Sequence, residues 1–277
     1  MTEVRRIDSA TNPLLRLAAS SYLNSAPLIW SFLHGSRRST VEYVEAVPAK
    51  CAELLSLGSV EAALVPVIEY QRISNIVLVP DVCVASKEQV RSVLLVSRNS
   101  ELKDIRSVAL DESSRTSATL VRIIFREFLD HEPAWTTQSP QLEQMLESND
   151  AALIIGDPAM VFPQTALKVW DMARLWRNYT DLGFVFAMWV VSNDAVDRAR
   201  QVDFAAARDE GLASKDEIVE YYKKLLGLAE ESIREYLDSN ICFSVDDQLQ
   251  RGLSLYYQLA HKHLLIPELK PLKTLVP

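Results

Sequence analysis

Short apolar runs that alternate with helical stretches are the feature that most constrains the fold of this chain. From residue 14 onward the order is the run LLRLAAS, the helical stretch PLIWSFLHG, the run VEYVEAV and the helical stretch PAKCAELLSLGSV. Such alternation is typical of wound α/β folds, in which helices cover the sheet that the strands form. Pro48 in the first turn of a predicted helix and Gly58 at its end support this assignment. We therefore predict an α/β fold.

The chain has 277 residues, enough for two lobes at about 150 residues per domain. A polar stretch at 98–107 separates two series of predicted strands and helices, and a nearly all-helical region follows the apolar run at 184–192. We expect a first lobe made of 1–97 and 191–277, with the C-terminal helices packed on it, and a second lobe made of 98–190. A chain that crosses twice between lobes predicts an interlobe cleft, which is a usual place for a ligand.

Composition and charge exclude several classes of function. A formal net charge of -8 argues against nucleic acid as a partner, because such binding usually needs a basic surface. The N-terminal segment lacks the apolar core of a signal peptide, and no apolar run approaches about 18 residues, so we expect a cytoplasmic protein without membrane insertion. Three widely spaced cysteines form no metal or disulfide pattern. Because glycine motifs for nucleotides are also missing, we expect neither a cofactor nor a metal.

Polar side chains concentrate at three places where a predicted strand gives way to a helix. These junctions are SSYLNSAP at 20–27, DESSRTSATL at 111–120 and IIGDPAM at 154–160. The first turn of a helix leaves backbone N–H groups unpaired and carries a partial positive charge, so it readily binds a carboxylate. Three junctions that meet at one cleft would bind a small anion. The alternative is that each set of polar residues only caps its own helix.

The second junction is richer in polar groups than a helix cap requires. Its candidate ligand-binding residues are Ser113, Ser114, Arg115, Thr116 and Ser117. The four histidines fall near predicted helix ends, away from the three junctions, and no G-x-S-x-G motif is present. Neither a histidine base nor a hydrolase triad is therefore indicated. An enzyme with these residues would work without an obvious general base.

Six blocks, in this order, resemble the chorismate dehydratases of the futalosine route to menaquinone. The blocks are SSYLNSAPL, PAKCAELLSLGSVEAALVPVIEY, VPDVCVASKEQVRSVLLVS, VALDESSRTSATL, LIIGDPAM and DLGFVFAMWV. The resemblance implies two α/β lobes around a cleft, as in type II periplasmic binding proteins. It also implies the loss of water from chorismate, a small dianion, to give 3-[(1-carboxyvinyl)oxy]benzoate, without a cofactor or a metal.

The resemblance further implies roles for particular residues. Asn24 and Ser86 are the expected catalytic residues: Asn24 would orient the enolpyruvyl arm or the departing hydroxyl, and Ser86 would bind near the reacting carbons. Tyr22 and Ser25 would bind substrate, and the hydroxyls at 113–117 would hold the ring carboxylate. The arm carboxylate of the substrate would itself remove the ring proton.

Asp157 has three possible roles at this stage. It would aid the departure of water, it would cap its helix, or it would be the general base in place of the substrate carboxylate. One position departs from the family pattern, since Ala26 stands where many members carry a larger or basic residue. The first junction would then bind a carboxylate through the neutral donors Asn24 and Ser25.

Two other functions are compatible with the same fold. The sister dihydroxynaphthoate synthases use a histidine base and a different N-terminal motif, and this chain has neither a matching motif nor a well-placed histidine. A cytosolic solute-binding or sensor protein would close on its ligand without chemistry. The sequence carries no signal of an oligomeric state.

Overall fold

The computed structural model describes residues 14–98, 101–163 and 166–276, and within them the chain forms two five-stranded mixed sheets. The strands are β1 (Leu15–Ala19), β2 (Val41–Glu45), β3 (Ala62–Pro66), β4 (Ile76–Ser86), β5 (Val93–Ser97), β6 (Ser107–Asp111), β7 (Ala134–Gln138), β8 (Ala151–Ile155), β9 (Lys168–Asp171) and β10 (Phe184–Ser192). The α-helices are α1 (Ala26–Leu33), α2 (Pro48–Ser56), α3 (Thr116–Ile123), α4 (Leu142–Ser148), α5 (Asp157–Val161), α6 (Met172–Thr180), α7 (Val196–Ala199), α8 (Phe204–Ala213), α9 (Lys215–Leu226), α10 (Glu230–Glu235) and α11 (Asp247–Lys262).

The two sheets repeat one topology. Sheet A has the order β2-β1-β3-β10-β4 and sheet B the order β7-β6-β8-β5-β9. In each sheet the first three strands of the order run parallel, and the fourth is antiparallel to both of its neighbours. That antiparallel strand comes from the part of the chain that has just crossed from the other sheet. We call sheet A with its helices the first lobe and sheet B with its helices the second lobe.

The expected lobe boundaries at 97 and 190 are wrong for two strands. β5 was expected in the first lobe, but it pairs with β8 and β9 in sheet B. Most of β10 was expected in the second lobe, but it pairs with β3 and β4 in sheet A. An apolar strand that is buried throughout its length, as β5 is, fits the middle of either sheet, so its composition does not reveal its partners. The polar stretch at 98–107 was expected to separate the two lobes, but it lies mainly between β5 and β6, which both belong to the second lobe.

The two crossings between the lobes run side by side. The chain leaves sheet A after Ser86 and returns to it at Phe184, and these two residues face each other across β4 and β10. Next to them, a Cβ added to Gly183 would lie 3.1 Å from the carbonyl oxygen of Ser86 and 3.4 Å from the Cα of Lys87. Two adjacent crossings of this kind form a hinge about which lobes can close.

The C-terminal helices pack mainly on the first lobe, and α11 also reaches the second. Helix α8 packs on α1, whereas α11 lies against both β10 and α3. Tyr256 of α11 is fully buried, packs its ring 5.0 Å from that of Phe184, and donates its hydroxyl to the Thr116 carbonyl at 3.0 Å. The apolar core therefore continues from sheet A to one face of sheet B. No helix in the described part of the chain has the length and apolar character that crossing a bilayer requires.

Candidate active site

A cavity lies between the two sheets, at the carboxyl ends of their parallel strands. Its wall includes the stretches that follow β1, β6 and β8, which are the three junctions identified in the sequence. In open α/β sheets, ligands bind beyond the carboxyl ends of the strands because the loops there converge. The structure therefore brings the three junctions together.

The cavity has a polar wall and a largely apolar floor. The polar residues that line it are Ser20, Tyr22, Asn24, Ser25, Ser113, Ser114, Arg115, Thr116 and Ser117. The remaining lining residues are Pro48, Leu64, Pro66, Val84, Val93, Ile155, Gly156, Phe186 and Ala187. This mixture suits a ligand with a carbon ring and a few oxygen-bearing groups. Of the ten residues that the sequence assigns to the site, two, Ser86 and Asp157, are not among the lining residues.

The serines of the first junction orient the amide of Asn24. The Ser25 hydroxyl donates to Asn24 Oδ1 at 3.0 Å, and the Ser20 hydroxyl lies 3.2 Å from that of Ser25. Because Ser25 gives its proton to Asn24, its oxygen accepts from Ser20. The carbonyl end of the Asn24 amide is thus occupied, and its NH₂ group has no partner among the described residues. Asn24 therefore presents two N–H donors in the wall of the cavity.

The second junction presents donors that have no acceptor among the described residues. Helix α3 has no acidic residue in its first turn and no side-chain cap, so its leading backbone N–H groups stay open. Ser114 lines the cavity, is 5% exposed, and has no hydrogen-bond partner for its hydroxyl among the described residues. Thr116 differs, because its hydroxyl accepts from the Ile68 N–H at 3.2 Å and so ties the two lobes together. The Ser114 hydroxyl is therefore free to donate a hydrogen bond to a ligand in the cavity.

The third junction closes against the first. Asp157 lies at the start of α5, and its Oδ1 accepts from the backbone N–H of Leu23 at 2.9 Å. The residue before it, Gly156, has φ +67 and lies under the ring of Tyr22. Asp157 thus connects the second lobe to the first at the edge of the cavity, with its carboxylate turned to a backbone N–H.

Ser86 stands at the hinge side of the cavity. It is 1% exposed, and its hydroxyl has no partner among the described residues. It lies two positions after Val84, a lining residue, and so faces the same side of β4. Ser86 is therefore close to the cavity without lining it, and its role as a catalytic residue stays a prediction.

Burial raises the pKa values of three groups around the cavity. Burial raises the pKa of Asp157 to about 6, although the Leu23 N–H acts in the opposite direction. Burial also raises the pKa of Asp111, the last residue of β6, against the hydrogen bonds from Ser113. The pKa of Tyr22 is raised by burial and then by the charge of Asp111, which keeps the phenol protonated. Arg115 is the one charged side chain among the described lining residues, and it is exposed.

The cavity is small. Its volume is about 50 Å³, well below the roughly 300–1,000 Å³ of ligand sites. The Ala49 N–H of the first lobe donates to the Ser113 carbonyl of the second at 3.2 Å, beside the bond from Leu23 to Asp157. A ring-sized ligand needs more space than this, and separation of the lobes at the hinge is the movement that would provide it.

Sequence reasoning missed several residues of the site. Asp111 was part of the second motif, but its burial became visible only in the structure; its position as the last residue of a strand was the available signal. Gly156 carried the signal of a glycine directly after a strand. The apolar floor gave no signal, because its members look like ordinary core residues. Among the described residues, no group of three or more His, Cys, Asp or Glu side chains could hold a metal ion.

Comparison with known proteins identifies the family. A family model described as menaquinone biosynthesis matches residues 15–262, which include both sheets and all eleven α-helices described above. The chain belongs to the menaquinone biosynthesis family. One relative is the chorismate dehydratase of Thermus thermophilus. It is 29% identical to this chain over 259 residues, which cover 87% of this chain and 93% of that protein.

Solved structures confirm the fold expected for this family member. The crystal structure of protein AF1704 from Archaeoglobus fulgidus matches with a TM-score of 0.74 at 18% identity, covering 91% of this chain and 98% of that chain. The periplasmic aliphatic sulphonate binding protein SsuA from Escherichia coli matches with a TM-score of 0.61 at 17% identity, covering 95% of this chain and 96% of that chain. The fold is that of periplasmic binding proteins, with two α/β lobes around a cleft.

Proposed function

We propose that this protein dehydrates chorismate to 3-[(1-carboxyvinyl)oxy]benzoate within the interlobe cavity. The observation that carries the proposal is a cavity wall with unused neutral hydrogen-bond donors and, among the described lining residues, no histidine, lysine or carboxylate. Membership of the menaquinone biosynthesis family and similarity to a chorismate dehydratase over 87% of the chain support the same reaction.

Binding follows from the two chemical surfaces of the cavity. The ring of chorismate fits the apolar floor, where Leu64, Val84 and Phe186 line the space. The ring carboxylate accepts from the open N–H groups at the start of α3 and from the Ser114 hydroxyl. The NH₂ group of Asn24 faces the enolpyruvyl arm or the departing hydroxyl. Neutral donors position a carboxylate without the large desolvation cost of a buried cation.

In this reaction one ring carbon of chorismate loses a proton and the neighbouring ring carbon loses its hydroxyl group. The C–H electron pair forms the new ring double bond, the C–O bond breaks, and the ring becomes aromatic. Conjugation with the ring carboxylate acidifies the proton, so a weak base suffices when it is well placed. The arm carboxylate of the substrate serves as this base and hands the proton on to the departing hydroxide, so that water leaves.

The protein then contributes geometry and charge stabilisation. As the proton leaves, negative charge spreads onto the ring carboxylate, and the donors at the start of α3 stabilise it there. Ser86, whose hydroxyl is buried and unpartnered, binds near the reacting carbons once the cleft has closed around the substrate.

Asp157 is the rival base. Its pKa of about 6 leaves it largely ionised at neutral pH, which a base requires. Against this role, its carboxylate accepts from the Leu23 N–H and it is not among the residues that line the cavity. We therefore propose that Asp157 holds the closed lobes together and that the substrate provides the base.

The test is to incubate the purified protein with chorismate, follow the loss of the diene absorbance and identify the product by NMR. We expect stoichiometric conversion to the benzoate ether. Tight binding of chorismate without any absorbance change would instead indicate a solute-binding protein and reject the enzyme. The heat-denatured protein provides the control for spontaneous decay of chorismate.

A further inference from the structure

The charges around the cavity present a conflict. The proposed function places a dianion in the cavity, yet two carboxyl groups lie behind its lining residues, Asp111 with 1% exposure and Asp157, and both act on Tyr22 in the wall. The one charged lining residue among those described, Arg115, is exposed. Like charges in a poorly hydrated site repel strongly. A neutral form of one of these carboxyl groups in the complex would remove this repulsion.

The two oxygens of the Asp111 carboxyl group have very different surroundings. Oδ1 accepts two hydrogen bonds from Ser113, one from its backbone N–H at 2.8 Å and one from its hydroxyl at 2.6 Å. Oδ2 is buried and has no partner among the described residues. Oδ1 can accept both bonds whether the group is ionised or protonated. Oδ2 is therefore the atom on which a proton can reside without breaking an existing contact.

The carboxyl group of Asp111 lies directly behind the cavity surface. It bonds to Ser113, and its charge acts on the phenol of Tyr22. Both of these residues line the cavity. A ligand that fills the cavity therefore contacts residues that lie next to this carboxyl group.

We propose that Asp111 takes up a proton from solvent on Oδ2 when the dianionic substrate binds, and that the neutral acid donates a hydrogen bond to a substrate carboxylate. This inference rests on the proposed function, since it needs a dianion in the cavity. The neutral acid removes the repulsion and gives the isolated Oδ2 a partner at the same time. A buried aspartic acid that donates to an anionic centre is established chemistry for this side chain.

Several titratable groups surround Asp111 and the neighbouring Tyr22. They are Glu112 and Arg115 in the same junction, Cys51 on α2 and Asp157 on α5, of which Cys51 and Asp157 act on Tyr22. Burial already raises the pKa of Asp111, and the charge of Glu112 raises it further. Asp157 is the competing site for the proton, because its burial also raises its pKa.

The expected pH dependence follows from linkage. A bound dianion raises the pKa of Asp111. Proton uptake therefore occurs in the pH window between the pKa of Asp111 in the free protein and its pKa in the complex. Within that window, affinity falls about tenfold for each unit of increasing pH. Below the window the group is already protonated, and above it the complex no longer takes up the proton.

The experiment measures proton uptake when the reaction product, 3-[(1-carboxyvinyl)oxy]benzoate, binds. Calorimetric titrations over a range of pH, in buffers with different ionisation enthalpies, give the number of protons taken up per ligand. We expect close to one proton in the wild type within the window. In Asp111→Asn we expect uptake to fall by nearly one and the affinity to lose its pH dependence. The amide should preserve the two bonds from Ser113 and supply an N–H in place of the acid proton.

Matched variants and a spectroscopic measurement complete the test. Asp157→Asn changes the competing carboxyl group and should leave the uptake in place. Loss of uptake in Asp157→Asn with retention in Asp111→Asn would overturn the proposal, as would tight wild-type binding without uptake. Should Asp111→Asn fail to fold, isotope-edited infrared spectra of the wild type decide: a protonated carboxyl band must appear with the product, and its absence rejects the proposal. A wild type that neither binds product nor converts chorismate would overturn the proposed function itself.

Discussion

The ring of Tyr22 lies against the backbone of Gly156, across the boundary between the two lobes. A Cβ added to Gly156 would lie 2.6 Å from Cδ2 and Cε2 of that ring, closer than atoms can approach. Tyr22 belongs to the first lobe and lines the cavity, and Gly156 belongs to the second. The closed position of the lobes therefore depends on a residue without a side chain at position 156.

Gly156→Ala should weaken closure and activity more than stability. The new methyl group displaces Tyr22 from the cavity wall, so we expect kcat/KM for chorismate to fall by about 100-fold, as for a small misplacement of positioning groups. Gly156 has φ +67 and ψ -149, a conformation that is essentially limited to glycine, so an alanine there also costs about 2 kcal/mol of stability. Steady-state kinetics and urea denaturation measure the two effects.

Gly227→Ala is the control for a glycine with positive φ, because Gly227 has φ +67 and ψ 17 and, among the described residues, nothing within 4 Å of an added Cβ. We expect it to lose about 1 kcal/mol of stability, the cost of a left-handed helical alanine, and to keep its activity. Equal activities of the two variants would show that the contact with Tyr22 does not govern closure.

Asn24 should matter through its NH₂ group. Asn24→Ala removes two donors from the cavity wall, and we expect kcat to fall by about 100- to 1,000-fold, as when one transition-state donor is lost. Ser25→Ala leaves the donors in place but frees the amide to rotate, since Ser25 donates to Asn24 Oδ1. Its kcat should fall by a smaller factor, about tenfold.

The control for Asn24 is Asn178→Ala, which changes an exposed asparagine on α6. Its rate should equal that of the wild type. If Asn24→Ala keeps more than a third of the wild-type kcat, the amide does not act on the reacting groups.

The pH dependence of stability should report on Asp157. Its pKa is raised in the folded state to about 6, against 3.8 for the unperturbed group, so the folded protein binds this proton more tightly than the unfolded chain. This contribution to stability is fully present below about pH 4 and is lost as the pH rises through about 6. The unfolding free energy of the wild type, measured relative to Asp157→Asn in urea, should therefore fall between pH 4.5 and pH 7. A difference that does not change with pH would contradict the burial of this carboxylate.

Helix α11 should tolerate no side chain at Gly252. Glycine to alanine within a helix normally stabilises by up to about 1 kcal/mol. Here an added Cβ would lie 2.1 Å from the Gly183 carbonyl oxygen, at the crossing between the lobes. We expect a net loss of about 2 kcal/mol in urea denaturation, because overpacking exceeds the gain in propensity. Ser254→Ala, at an exposed position of the same helix, should change stability by less than about 0.5 kcal/mol. A stabilised Gly252→Ala would mean that the helix moves easily at the hinge.

Local patterns were enough to predict the elements and the three junctions. The run LLRLAAS forms β1, and the helix that begins near Pro27 forms α1. The hydroxyl residues of the second junction, which exceed the needs of a cap, line a cavity, and their binding of a ligand stays a prediction. These predictions depend on hydrophobic periodicity, helix capping and the fixed φ of proline. Each of these signals is a property of a short segment of the sequence.

Long-range pairing could not be predicted in the same way. β5 and β10 exchange sheets, and their apolar residues fit the middle of either one. The sequence also suggested an anion site without showing that Asp111 would be buried beside it. Burial of the Asp111 side chain depends on how the surrounding elements, here α1, α3 and β8, pack together. No local sequence pattern specifies that packing.

The central claim is that the cavity supplies donors and the substrate supplies the base. The most direct test compares chorismate with an analogue whose arm carboxylate is replaced by a primary amide, in the wild type and in Asp157→Asn. We expect the wild type to bind the analogue without converting it, and Asp157→Asn to convert chorismate within about tenfold of the wild-type rate, since its carboxylate does not act as the base. Turnover of the analogue at the rate of chorismate, together with an inactive Asp157→Asn, would contradict the account and assign the base to Asp157.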